Sequence, residues 1–144
     1  MGALVAGLIL VPLADQALKL ALRSRPEPRS VSLGRLGGLR MLKTRIWLAR
    51  RGRPPTLAGI WIIWLLAAGA IALLGALAPS SGWFAGLLLG GSLSHALESS
   101  MRGSVSDYVC LRFWPAFNLA DVAITVGAIG LLLTTFMAMR DLWS

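Results

Sequence analysis

Four long apolar runs, separated by short polar or basic connections, set the pattern of this chain. Residues 2–22 are apolar apart from Asp15, Gln16 and Lys19 near the end of the run. Residues 57–77 carry no charge across 21 positions, enough at about 1.5 Å rise per residue to cross roughly 30 Å of hydrocarbon. Pro54 and Pro55 precede this run, and Pro79, Ser80, Ser81 and Gly82 follow it, so helix-breaking chemistry marks both ends. Residues 83–99 form a shorter run whose Gly86, Gly90 and Gly91 permit close approach of a second helix. Residues 117–139 form the last, with Arg140, Asp141 and Trp143 just beyond. The first run lacks the basic start of a secretory signal peptide and reads as a retained helix.

Between the first and second runs the pattern changes. Leu33, Leu36, Leu39, Leu42, Ile46 and Leu48 interleave with Arg and Lys, and Gly34, Gly37 and Gly38 interrupt any continuous helix. Residues 31–53 are therefore expected to form short antiparallel strands on the membrane surface, basic tips toward headgroups. Residues 23–30 fit a disordered basic loop equally well. The pattern predicts an all-α membrane protein: four transmembrane helices with a small β-rich cradle on the membrane surface after the first helix. One domain covers residues 1–144, without internal repeats.

Composition sharpens this picture. The chain is 56% hydrophobic and 14% charged, with mean hydropathy +0.72, far more apolar than a soluble domain of this size. A formal charge of +8 raises nucleic acid as a partner, but eleven of the fourteen Lys and Arg residues fall between positions 19 and 53, beside a membrane run. Such a cluster fits anionic phospholipid headgroups, and no nucleic-acid partner is expected. The bias of basic loops toward the cytoplasm would place this segment inside and both termini outside. Cys110 is the single cysteine, which excludes an intrachain disulfide and a multi-thiolate metal site.

Few polar residues interrupt the apolar half, and two of them are aspartates, Asp107 and Asp121. A carboxylate at a membrane helix end is costly unless paired, hydrated or used. Two carboxylates a few Å apart share a proton and can divide the roles of base and acid in hydrolysis by water. They titrate as a pair, so neither role is assigned to either residue. Asn118 lies i,i+3 from Asp121, placed to donate to a carboxylate or a substrate backbone. Equally, it could cap the last helix, with Asp121 a first-turn acid favoured by the helix dipole. Asp15 and Lys19 are i,i+4 and share a helix face on which they neutralise one another. His95 and Glu98 are i,i+3, but His-x-x-Glu without a second histidine is a weak metal signal. His95 is expected instead to hydrogen-bond Glu98, and neither metal nor other cofactor is expected. A charged Glu98 needs compensation from His95, Arg102 or Arg112. Arg102 and Arg112 bracket Asp107 and read either as contacts to lipid phosphate or substrate carbonyl, or as anchors snorkelling outward. Tyr108, Trp83, Trp114 and Trp143 fall at span ends as belt residues.

Taken in order, these motifs resemble those of the lipoprotein signal peptidases, the type II signal peptidases of bacteria. Asp15, Gln16 and Lys19 match the family's Asp-Gln-x-x-Lys element. Val105-Ser106-Asp107-Tyr108 matches Val-Val-Asp-Phe, which holds the first catalytic aspartate. Pro115-Ala116-Phe117-Asn118-Leu119-Ala120-Asp121 matches completely the Pro-Ala-Phe-Asn-x-Ala-Asp element that holds the second. Two elements depart. Ser94-His95-Ala96-Leu97-Glu98-Ser99 stands where the family has Gly-Asn-x-x-Asp-Arg, and Asn-x-Gly-Ala-Ala-Phe has no counterpart between Gly38 and Gly59, where Arg45-Ile46-Trp47 takes its place.

The resemblance implies a diverged, monomeric, multi-pass aspartyl endopeptidase of the bacterial inner membrane, with cytoplasmic termini and its site near the outer leaflet. Its substrate would be a prolipoprotein signal peptide, cut before a lipid-modified cysteine, or another membrane peptide. Its catalytic residues would be Asp107 and Asp121, with Asp15, Lys19, His95, Glu98, Arg102, Arg112, Asn118 and Ala120 supporting them or binding substrate. The altered supporting elements leave two alternatives: a weak or inactive paralogue that binds lipidated or membrane peptides, and a protease of altered specificity.

Overall fold

A carboxylate and an ammonium lie fully buried in this molecule while leucines on the same helix face outward. Asp15 and Lys19 are 0% exposed, whereas Leu13 is 63% exposed and Leu10 58%. That distribution inverts the rule for a protein dissolved in water and is the one expected where the surroundings are hydrocarbon. The computed structural model describes residues 2–25, 30–32, 34–44, 56–77 and 81–143. Among them the elements run α1 (Gly2–Arg23), β1 (Ser30–Ser32), β2 (Gly37–Thr44), α2 (Leu57–Leu77), α3 (Gly82–Arg102), β3 (Val105–Leu111) and α4 (Leu119–Trp143).

Helix α3 is the axis, packed against α1, α2 and α4. Its small residues set the crossings. A Cβ on Gly7 would sit 2.6 Å from the Gly86 carbonyl carbon, and a Cβ on Gly91 would sit 2.6 Å from the Ala120 carbonyl oxygen, so backbones touch where side chains are missing. The α1 contact at Gly7 and Gly86 recurs further along as Lys19 against Glu98, which makes α1 and α3 parallel. Gly91 meets Ala120 while Leu88 meets Gly127, so α4 runs antiparallel to α3. The C-terminal ends of α1 and α3 and the N-terminal end of α4 therefore gather at one end of the bundle. Helix α2 is held more lightly; its Trp64 Nε1 donates to Ser92 Oγ at 3.1 Å.

By length and composition α1 and α4 can each cross a membrane, with mean hydropathy 1.7 and 2.1. Two helices thus qualify rather than the four expected. The described apolar stretch of α2, Leu57–Leu73, is shorter, and α3 gives up apolar character to Ser92, Ser94, His95 and Glu98.

The sheet has order β1-β2-β3 and is antiparallel throughout, with Ser30 opposite Arg40, Gly37 opposite Leu111 and Thr44 opposite Val105. Strand β1, which begins one residue ahead of it, and β2 occupy the expected cradle, whose residues 33 and 45–53 lie outside the described residues. The third strand comes instead from the α3–α4 connection, for which the sequence suggested no element. Ser106, Asp107 and Tyr108 are all buried, so both faces of β3 are covered and no polar-apolar alternation announces it. Gly103, with φ 66°, closes α3 by donating its N–H to Ser99 O at 2.9 Å and turns the chain into β3.

Candidate active site

Below β3, four charged side chains from α1 and α3 form a buried network. Lys19 Nζ lies 2.6 Å from Asp15 Oδ2 and 2.7 Å from Glu98 Oε2. Arg23 pairs with Glu98 Oε1 and also donates to Ser106 Oγ at 2.9 Å. Two acids and two bases give a formal charge of zero, as burial requires when each unpaired ion would cost several kcal/mol, on the order of 3–5. Neutral donors reach the same carboxylate oxygens. Ser94 Oγ donates to Asp15 Oδ2 at 2.7 Å, Tyr108 OH to Asp15 Oδ1 at 3.1 Å, and the Ser106 N–H to Glu98 Oε2 at 3.1 Å. Strand β3 is thereby pinned at Ser106 and Tyr108, on either side of Asp107.

Tyr108 links three elements. Its hydroxyl donates to Asp15 on α1 and accepts the Leu119 N–H of α4 at 3.0 Å. Burial pushes the phenol pKa well above its ordinary value; the charge on Asp15 adds to the rise and the Leu119 N–H opposes it. The hydroxyl therefore stays protonated and remains a donor.

The two aspartates meet around Asn118. Its side-chain amide Nδ2 donates to Asp107 Oδ1 at 2.8 Å, and its backbone N–H donates to Asp121 Oδ2 at 2.8 Å. Asn118 Oδ1 in turn accepts the Asp121 N–H at 3.0 Å. That reciprocal pair is a capping box, with Asn118 as N-cap and Asp121 three residues on. The capping and the carboxylate-binding expectations for Asn118 are thus both realised, one by its oxygen and one by its nitrogen. His95 Nε2 stands 3.3 Å from Asp121 Oδ1 and 3.3 Å from Asn118 Oδ1. Facing two acceptors, Nε2 carries the proton in the neutral ring.

Not every expected partner is where the sequence put it. His95 turns to Asp121 and Asn118 rather than to Glu98, because both Glu98 oxygens are taken by Lys19, Arg23 and the Ser106 N–H. Compensation for Glu98 comes from Lys19 and Arg23, while Arg102 and Arg112 are exposed. Ala120 is fully buried beneath Gly91, a packing position. Tyr108, expected as a belt residue, is instead 4% exposed because its hydroxyl is held between Asp15 and the Leu119 N–H, and the motifs give Arg23, Ser94 and Ser106 no site role although the structure brings them there. A signal existed for Arg23, which continues the i,i+4 spacing of Asp15 and Lys19 along one face. Among the described residues, no three His, Cys, Asp or Glu side chains gather as a metal-ligand set. A separate apolar groove of about 330 Å³ lies between α1 and α4, walled by Leu10, Val11, Leu119 and Val122 and floored by Trp83 and Leu87.

Known proteins resemble this chain in sequence or in fold to differing extents. The lipoprotein signal peptidase of Xylella fastidiosa (strain 9a5c) is 37% identical over 88 residues, 51% of this chain and 53% of that protein. That of Moorella thermoacetica is 49% identical over 43 residues, 30% of this chain and 29% of its own. The chain spans about half the length, or less, of the curated relatives it matches. Two solved bacterial membrane enzyme structures superpose with TM-scores of 0.74 and 0.76, covering 92% and 98% of this chain and 92% of each of theirs, at 18% and 15% identity, which shows a common fold. The profile of the family described as Signal peptidase (SPase) II matches residues 8–137. A chain matched over nearly its whole length, with the fold of a membrane enzyme and apolar helices turned outward, belongs to the signal peptidase II family.

Proposed function

We propose that this membrane protein is an aspartyl endopeptidase of the bacterial inner membrane that cuts a signal peptide before a lipid-modified cysteine, with Asp107 and Asp121 as its catalytic pair. Asn118 carries this reading, since one residue braces both carboxyl groups, one through its side chain and one through its backbone. With one proton shared by the pair, the ionised carboxylate takes a proton from a water whose oxygen attacks the scissile carbonyl carbon, while the protonated partner gives its proton to the carbonyl oxygen or, as the C–N bond breaks, to the leaving nitrogen. Two carboxyls and water complete that chemistry without a cofactor. His95 restrains Asp121 at its other oxygen, and the Asp15–Lys19–Glu98–Arg23 network fixes the strand that presents Asp107.

In this reading residues 1–144 act as one monomeric domain, all four helices cross the bilayer, the termini are cytoplasmic, and the aspartates sit near the outer leaflet. The apolar groove beside Leu119 suits the hydrophobic part of a substrate arriving laterally from lipid. The test is to reconstitute the protein in lipid vesicles with a diacylglyceryl-modified prolipoprotein and follow products by mass spectrometry. Release of a signal peptide ending just before the modified cysteine is expected. Tight binding of the same substrate with no product would replace this reading with that of a peptide-binding paralogue.

A further inference from the structure

We propose that His95 decides which of the two carboxyls is the base: it is a positioning residue that holds Asp121 ionised and leaves the shared proton on Asp107. His95 Nε2 lies 3.3 Å from Asp121 Oδ1, and the Asn118 N–H donates to Asp121 Oδ2 at 2.8 Å. Both Asp121 oxygens therefore face N–H donors, which suits a carboxylate and not an acid, whose own hydroxyl must donate. Asp121 also lies in the first turn of α4, where the helix dipole favours negative charge. Asp107 is buried and accepts the neutral Asn118 amide, whereas Asp121 is half-buried, so a single negative charge is better hydrated on Asp121.

An imidazole does here what a neutral amide could not. Imidazole changes charge between about pH 5 and 8, so in acid the Nε2–H becomes part of a cation while still donating to the same oxygen. A hydrogen bond between two charged groups is about twice as strong as a neutral one. The gain falls in the acid range, where Asp121 would otherwise take up a proton and cease to be a base. The other charges around His95 are engaged elsewhere. Strand β3 presents Asp107 through Asn118, and on α1 Asp15 and Lys19 are tied with Arg23 to Glu98. Helix α2 carries no charged side chain, and Arg102, two turns further along α3, is exposed.

With the proton so placed, the steps of hydrolysis close into a cycle. Asp121 takes a proton from the water whose oxygen bonds to the carbonyl carbon, and Asp107 gives its proton to the carbonyl oxygen. As the C–N bond breaks, Asp121 passes its proton to the leaving nitrogen and Asp107 recovers one from the diol, so each returns to its starting state. These roles rest on the proposed hydrolysis. The position of the proton does not, and it is measured apart from turnover.

Infrared spectra of the intact protein in lipid vesicles, without substrate, give the first test. At neutral pH the wild type should show a carboxylic-acid C=O band that Asp107→Asn removes; a band that survives this change would overturn the proposal. On acidification a second acid band, absent from Asp121→Asn, should emerge at higher pH in His95→Gln, which keeps a neutral N–H donor, than in the wild type. Coincident emergence would overturn the role of His95. Because His95 is the single histidine, nitrogen NMR of the imidazole reads it alone and needs no variant. Its neutral ring should carry the proton on Nε2, and a neutral ring protonated on Nδ1 would remove the donor to Asp121 and the proposal with it. Cleavage of a diacylglyceryl-modified prolipoprotein gives the last test. The ratio of wild-type to His95→Gln rates should rise about tenfold from about pH 8 to about pH 5.5, the gain expected of making that hydrogen bond charge-assisted. A ratio independent of pH would reduce His95 to a structural part. No cleavage by the wild type at any pH would refute the hydrolysis, and the spectra would still decide where the proton sits.

Discussion

Replacing Asn118 separates the stability of α4 from the chemistry at its first turn. Asn118→Ala removes the amide donor to Asp107, the oxygen that caps the Asp121 N–H, and one of the two acceptors facing His95. Losing an N-cap costs about 1 kcal/mol, and losing a buried hydrogen bond to a carboxyl costs about 1–3 kcal/mol. Together the expected destabilisation is about 2–4 kcal/mol. Asn118→Ser keeps an oxygen able to cap, so it should be more stable than the alanine variant by about 1 kcal/mol. It still lacks the donor that orients Asp107. Both variants should therefore lose peptide cleavage alike, by about 100-fold, the usual consequence of misplacing a catalytic group by an ångström. Unfolding in detergent gives the first quantity and the rate of signal-peptide release from a prolipoprotein the second. A serine variant cutting within a few fold of wild type would refute the idea that Asn118 braces the pair.

Three further outcomes follow from the same geometry. Lys19→Met strips Asp15 and Glu98 of their shared cation and should destabilise by about 3–5 kcal/mol. Arg23→Gln should cost much less, since its side chain is 20% exposed and Glu98 keeps Lys19; equal losses in unfolding experiments would contradict Lys19 as the hub. Burial raises the Tyr108 pKa above its ordinary value of 10.0, so above that pH the unfolded chain gives up a proton that the native state retains. Stability should be complete below about pH 10 and fall above it, and Tyr108→Phe should flatten that fall; an unchanged alkaline slope would argue against the buried donor. A Cβ on Gly86 would come within 2.5 Å of Leu4 O, so Gly86→Leu should force α1 and α3 apart at a cost of at least about 1–3 kcal/mol. A variant that melts with the wild type would show that the crossing is looser.

Much of the helical framework was legible because long apolar runs bounded by helix breakers read as helices, and residues 57–77, with proline on both sides, coincide with α2. The Asn118–Asp121 relation was legible too, being local: i,i+3 spacing at a helix start has few geometric outcomes. Strand β3 was hidden by its burial on both faces, and with it the alternation that aims Ser106 and Tyr108 at one partner set. The fate of Glu98 could not be read from α3, since its cations arrive from α1 and leave His95 free to turn toward Asp121. The cradle was placed by its glycines and basic-apolar interleaving, but its third strand comes from some sixty residues away in sequence, a distance no local pattern spans.

The most direct test of the two carboxyls as a working pair is turnover of a lipid-modified prolipoprotein by Asp107→Asn, Asp121→Asn and the double variant, all shown to be folded. Groups that act as a unit are non-additive, so each single change should lower release at least about 1000-fold and the double change no further. A single variant that keeps most of the wild-type rate, or losses that multiply in the double variant, would contradict a shared role in hydrolysis.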